Sequence, residues 1–144
     1  MLITIALADD HQLVRKGIKL LLDELNAFEV VAEASNGKEL IEKIADLETP
    51  PALALIDVNM PVMDGVETVK VLTKKYPEMG LIALSVSTDL RVVREMIRSG
   101  ANAYLNKDSD SDVVRRILLE VHDKGFYYDQ NVIDSLKIAE DDAF

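Results

Sequence analysis

Asp57 directly follows the apolar run Ala52-Leu53-Ala54-Leu55-Ile56 and precedes Val58-Asn59-Met60-Pro61. A run apolar at every position reads as a strand buried on both faces, so this carboxylate stands at a strand's C-terminal end. Asp9-Asp10 ends the first such run, Ile3 to Ala8, and Lys107 follows the last, Ala103-Tyr104-Leu105. In an open parallel sheet those ends meet at one edge, where such folds place their ligands. Carboxylates and an amine gathered there suit a Mg2+ site with a phosphoryl acceptor. Mg2+ takes oxygen ligands, and Asp9, Asp10 and Asp57 can supply them. Without a cation these acids repel one another and raise each other's pKa. A carboxylate can itself be the nucleophile. Asp57, from the central run, is the choice, with Asp9 and Asp10 beside the metal. Lys107 then meets the phosphoryl oxygens as a point charge, and Ser85, after the fourth run, hydrogen-bonds the same group.

The elements that must position these residues alternate along the chain. Strands are expected at Ile3–Ala8, Val30–Ala34, Ala52–Ile56, Leu81–Leu84 and Ala103–Leu105. Val14, Ile18, Leu21, Leu22 and Leu25 recur at helical spacing, giving a helix over 11–25 with Asp10 as its N-cap. Leu40, Ile41, Ile44 and Leu47 mark a second helix, stopped by Thr49-Pro50-Pro51. Gly65 opens a third, carrying Val66, Val69 and Leu72 and ending near Tyr76-Pro77. Val93, Met96 and Ile97 mark a fourth, ended by Ser99-Gly100. Val114, Ile117, Leu118 and Val121 give a fifth over 110–123, closed by Lys124-Gly125. Strands separated by helices need crossovers, so the sheet is parallel, five-stranded and doubly wound. Residues 126–144 lie outside the pattern, with a short helix expected at Asn131–Ile138 and fraying from Asp141-Asp142.

With 144 residues the chain is one domain by size, and 49% hydrophobic content supplies a core. A net charge of -10 makes it a poor DNA binder, and 5% aromatics without Trp leave no base-stacking surface. No apolar stretch is long enough for a membrane, and the N-terminus lacks the cationic segment of a signal peptide. The absence of Cys agrees with a cytoplasmic location.

Together these residues resemble a bacterial response-regulator receiver domain over about Met1 to Gly125. The resemblance is carried by Ala8-Asp9-Asp10-His11, by Ile56-Asp57-Val58-Asn59-Met60-Pro61-Val62-Met63-Asp64-Gly65, by Leu84-Ser85-Val86-Ser87 and by Gly100-Ala101-Asn102-Ala103-Tyr104-Leu105-Asn106-Lys107. It implies a flavodoxin-like, CheY-like (βα)5 three-layer sandwich over 1–125. Asp57 would be the phosphoacceptor, charged by a sensor histidine kinase or phosphotransfer protein. Asp9 or Asp10, Asp57 and the Asn59 carbonyl would hold Mg2+. Ser85 and Tyr104 would be the switch pair, with Tyr104 turning inward on phosphorylation and the face of the fourth helix, fifth strand and fifth helix changing. Asn59 and Ser87 would help set the dephosphorylation rate. Asp9-Asp10-His11-Gln12-Leu13-Val14-Arg15-Lys16-Gly17 and Gly125-Phe126-Tyr127-Tyr128 are similar to the NarL/FixJ subfamily. That subfamily adds a LuxR-type helix-turn-helix domain, so residues 126–144 read as a tail or the start of a linker to it. Any DNA contact would then be made by that domain, with homodimerisation on phosphorylation possible. Asp108 stands where receiver domains carry proline.

Plainer readings compete at several positions. Asp9-Asp10 taken alone could be a helix cap and a solvated acid, but equivalent strand ends at Asp57 and Lys107 argue for a site. Tyr104 alone would be a half-buried strand aromatic. His11 reads as a helix-start residue and His122 as solvated. Arg91, Arg94 and Arg98, at i, i+3 and i+7, form either a solvated face or a docking surface for an acidic partner. A haloacid-dehalogenase-like phosphatase would need an acid where Asn59 stands. A flavodoxin-like cofactor binder would need Ser, Thr and Gly where Asp9-Asp10 stands. A receiver-like module that binds without being phosphorylated is the third rival. Beyond self-phosphorylation and autodephosphorylation no enzymatic turnover is expected.

Overall fold

The computed structural model describes residues 1–86 and 89–142, with the backbone alone for Asn131 and 138–142. Five strands, β1 (Ile3–Ala8), β2 (Phe28–Ala34), β3 (Leu53–Asp57), β4 (Gly80–Ser85) and β5 (Ala103–Asn106), alternate with α1 (Gln12–Glu24), α2 (Gly37–Asp46), α3 (Gly65–Lys75), α4 (Leu90–Ser99) and α5 (Ser111–Lys124). A further helix, α6 (Gln130–Asp142), follows. The sheet is parallel throughout, in the order β2-β1-β3-β4-β5. This is the five-stranded doubly wound sandwich expected from the sequence.

Period-two alternation divides the buried runs between two cores. Ile5, Leu7, Leu53, Leu55, Ile82 and Leu84 face α1 and α5, whose Leu22, Val114, Ile117, Leu118 and Val121 complete that layer. Ala6, Ala8, Ala54, Ile56 and Ala83 face the other side, under Leu40 and Ile44 of α2, Val69 and Leu72 of α3, and Val93 and Met96 of α4. The helices on the alanine face can therefore approach the sheet closely. Val132 of α6 belongs to the same buried layer, and α6 packs on α4.

Three differences from the sequence reading have local causes. The N-cap of α1 is His11, not Asp10, and no side chain caps it. The carboxylate of Asp9 takes the His11 amide instead, at 2.9 Å. β2 begins at Phe28, whose side chain is buried, so burial extends the strand past its Val30-initiated apolar run. The expected Asn131–Ile138 helix is longer, and Asp141-Asp142 lies within it. Asp129 starts that helix by accepting from the Val132 amide at 3.0 Å. No helix among the described residues is long and apolar enough to cross a membrane.

Candidate functional site

Winding reverses at β1: β2 lies on one side of it and β3 on the other. The crevice opened there, at the C-terminal strand ends, is where parallel sheets bind ligands. Register decides what enters it. Ala8 pairs with Ile56, so Asp9 and Asp57 leave their strands side by side. Asp57 pairs with Leu84, and Ser85 pairs with Asn106, which sets Lys107 just beyond. The Lys107 amide then donates to the Ser85 carbonyl at 2.9 Å.

The Lys107 ammonium bridges the two inner acids, 2.7 Å from Asp9 Oδ2 and 3.2 Å from Asp57 Oδ2. Asp9 is fully buried and Asp57 is only 4% exposed. Burial pushes the Asp57 carboxyl up to about 6, and the neighbouring Asp9 charge adds to that against the opposing pull of Lys107. The expected repulsion between acids is thus present, but loss of water is the larger cause. Burial alone would lower the Lys107 ammonium; Asp9 and Asp57 outweigh it and hold it above its ordinary value. Asp10 stands at the rim, and His11 Nδ1 lies 3.2 Å from Asp10 Oδ1. Asp9, Asp10, His11 and Asp57 offer ligand atoms within 4.8 Å of one another. Crowded carboxylate oxygens sharing one ammonium are a donor set that fits a hard divalent cation such as Mg2+.

The remaining predicted residues fall at the same edge. The Asn59 amide donates to Asp57 Oδ1 at 3.4 Å, and Ser85 is buried. Tyr104 is 4% exposed, and burial pushes its phenol above the ordinary value against the opposing effect of the nearby Ser85 side chain. The sequence reading has Tyr104 turn inward on phosphorylation; here it is buried. Ser87 lies outside the described residues. Asp108 donates its amide to Asn106 Oδ1 at 2.8 Å, a bond a proline could not make, and the peptide is trans. Arg91 and Arg98 line a cleft of about 460 Å³ with Lys70 of α3, away from the acids.

One support of the site was not anticipated, and a second, Gly65, was expected only as the residue that opens the third helix. Arg15, in the first turn of α1, donates from Nη1 to the Asp9 carbonyl at 2.7 Å and reaches Glu33 of β2 at 3.6 Å. It ties the acidic loop to the neighbouring strand. Gly65 opens α3 with its amide donated to the Val58 carbonyl at 2.9 Å. A Cβ there would lie 2.5 Å from the Asp57 carbonyl oxygen, so only glycine lets α3 start against the strand. The loop between them carries Val62 at φ 69, a left-handed conformation that a β-branched residue seldom adopts.

The acids, the lysine and the hydroxyl at successive ends of a 2-1-3-4-5 parallel sheet agree with the sequence comparison, in which residues 5–119 match the response regulator receiver domain. The chain belongs to that family. It is 36% identical over 124 residues to the transcriptional regulatory protein LnrK of Bacillus subtilis, covering 86% of this chain and 56% of that protein. It is 38% identical over 115 residues to the nitrate/nitrite response regulator protein NarL of Escherichia coli, covering 80% and 52%. The signal receiver domain of a NarL response regulator from Mycobacterium tuberculosis superposes with a TM-score of 0.77 at 28% identity, covering 85% of this chain and 98% of that one. The receiver thus falls among NarL, DegU and LuxR-type response regulators of two-component systems. It spans about half the length of the curated relatives it matches.

Proposed function

We propose that this receiver is a phosphorylation-controlled signalling switch with Asp57 as the phosphoacceptor. The observation that carries the reading is a buried carboxylate, held 3.2 Å from the Lys107 ammonium at the mouth of the β1/β3 crevice. With its pKa near 6, Asp57 is ionised at neutral pH and poorly hydrated, which suits a nucleophile. One Asp57 oxygen attacks the phosphorus of a phosphohistidine on a sensor histidine kinase or phosphotransfer protein. The P–N bond breaks, its electron pair stays on that nitrogen, and the imidazole leaves neutral with the proton already on its other ring nitrogen. Asp9, Asp10, Asp57 and the Asn59 carbonyl are the residues that would hold Mg2+. When bound, Mg2+ neutralises charge on the transferring group. Lys107 balances the phosphoryl oxygens, and Ser85 donates a hydrogen bond to one of them. Autodephosphorylation is attack of water on the same phosphorus, returning Asp57 as a carboxylate. The α4–β5–α5 face carries the output.

The length of the relatives supports an output domain beyond residues 126–144, a LuxR-type helix-turn-helix through which transcription would be controlled. In that arrangement DNA is contacted by the output domain and not by this acidic chain. The setting is cytoplasmic, with homodimerisation as a consequence of phosphorylation.

The test is intact-protein mass after incubation with acetyl phosphate, with and without Mg2+, beside Asp57→Asn. A single Mg2+-dependent phosphoryl adduct, absent from the variant, is expected. No adduct on folded protein would instead favour a non-phosphorylated interaction module. An adduct persisting in the variant would assign the nucleophile elsewhere.

A further inference from the structure

A chain with a net charge of -10 gathers four of its 16 lysines and arginines around one cleft. The cleft, of about 460 Å³, lies between α3 and α4. Lys70 stands on one wall and Arg91, Arg94 and Arg98 on the other, with Glu95 as its one acid. No described residue of β5, α5 or α6 lines it, so the helix packed on α4 leaves this side of α4 open.

Folding does not account for these cations. Lys70, Arg91 and Arg98 are exposed and form no ion pair with the described residues. Elsewhere the chain pairs a surface lysine with an acid four residues before it, Lys43 with Glu39 at 3.0 Å and Lys124 with Glu120 at 2.9 Å. In α4 the order is reversed: Arg91 precedes Glu95, the weaker arrangement on a helix. Arg91 also occupies the first turn, where the helix dipole disfavours a cation, and no acid follows the Asp89 cap in that turn. Arg91, Arg94 and Arg98 fall at i, i+3 and i+7, spacings at which like charges destabilise a helix. Negative charge arriving from outside would relieve each of these costs.

The spacing also selects the form that charge takes. Arg91 and Arg98 are two turns apart, about 10 Å along the helix. A second helix presents carboxylates at the same separation when acids stand at i and i+7. A guanidinium takes a carboxylate through two parallel hydrogen bonds, and a lysine adds a point charge. Small-molecule sites are mostly apolar, whereas Val92 is the single apolar residue lining this cleft. A second copy of the chain is a poor occupant, because a two-fold contact would set like charges against each other. We propose that the α3–α4 cleft docks an acidic helix of a partner protein, with carboxylates two turns apart meeting Arg91 and Arg98 while Lys70 closes on them from α3. Such docking is independent of whether Asp57 accepts a phosphoryl group.

The test is titration of the isotope-labelled full chain, followed by its amide resonances, with a synthetic helical peptide carrying Glu at i, i+4 and i+7 in an Ala and Gln background. The same peptide with Gln for each Glu is the control. Shifts are expected in α3 and α4 around Lys70, Arg91 and Arg98 with the Glu peptide only. They should fade at about 0.5 M NaCl, where the screening length is roughly 4 Å. Arg91→Glu combined with Arg98→Glu should weaken binding by about tenfold, as expected for two exposed ion pairs lost together. Unchanged resonances elsewhere in that variant would show that it is folded. Arg115→Glu, at an exposed position of α5, should bind as wild type. No shift at about 1 mM Glu peptide overturns the proposal. So do equal shifts with the Gln peptide, or equal weakening by Arg115→Glu. Tighter binding of a short DNA duplex at the same residues also overturns it and assigns the cleft to nucleic acid. None of these outcomes bears on the acetyl phosphate adduct at Asp57.

Discussion

Replacing Asp57 by Asn should stabilise the protein while abolishing its chemistry. The carboxyl is raised from 3.8 to about 6, chiefly because it is buried and then because Asp9 lies beside it. At about 1.4 kcal/mol per pH unit, that rise makes the ionised form cost about 3 kcal/mol in the folded state. The figure already includes the attraction of Lys107, which opposes the rise. The folded state binds this proton more tightly than the unfolded chain does. Stability therefore falls as pH climbs through the window from about 4 to about 6, and the cost is constant above it. Asn has the same shape and no charge to desolvate. In metal-free buffer at pH 7.5, Asp57→Asn should gain about 3 kcal/mol over wild type in urea unfolding followed by far-UV circular dichroism. The gain should halve near pH 5 and nearly vanish below pH 4. Mg2+ should narrow the gap from the other side, because it stabilises the folded wild type by mass action and has lost a ligand in the variant. A variant no more stable than wild type at pH 7.5, or a gain that does not change with pH, would refute the electrostatic reasoning.

Two further changes probe the loop that follows Asp57. Gly65→Ala would put a methyl group 2.5 Å from the Asp57 carbonyl oxygen and 2.8 Å from the Val58 Cα. Backbone cannot rotate away as a side chain can, so a loss of about 1–3 kcal/mol is expected in the same urea assay, with slower appearance of the phosphoryl adduct in intact mass. Val62→Gly should move the other way, because it removes the strain of φ 69. After the entropy cost of glycine, a net gain of about 1 kcal/mol is expected in thermal or urea unfolding, with the adduct mass unchanged.

The sheet was legible because its strands are apolar at every position, and that pattern needs cover on both faces. The inner acids and Lys107 were legible for a related reason: a parallel sheet collects its C-terminal strand ends, so polar residues immediately after apolar runs must meet. The details that failed depend on which of two neighbouring side chains turns inward. Asp9-Asp10 offers two carboxylates to one helix start, and Asp9, already buried, takes the His11 amide that Asp10 was expected to leave for capping. Arg15 carries no local sign that its guanidinium folds back onto the Asp9 carbonyl. The tail was harder still. Val132, Ile133 and Leu136 are all apolar, yet of the three only Val132 is buried, in the layer that includes Val93 and Met96 of α4.

The energetics of the site follow from a mismatch that folding leaves in place. Asp9 and Asp57 share one ammonium, and burial denies them the water that would otherwise screen their charges. A receiver optimised only for stability would carry an amide at position 57, as the first prediction measures. Keeping the carboxylate leaves a folded state that gains whenever more positive charge arrives, so cation binding is favoured before any phosphoryl group is present. Under the proposed function a phosphoryl group would add about two negative charges to the same crevice, and the three donors of the Lys107 ammonium would be shared among it, Asp9 and Asp57. The Lys107 amide is bonded to the Ser85 carbonyl. An electrostatic change at Asp57 therefore has a short route, through the backbone of Lys107, to the end of β4 that carries Ser85.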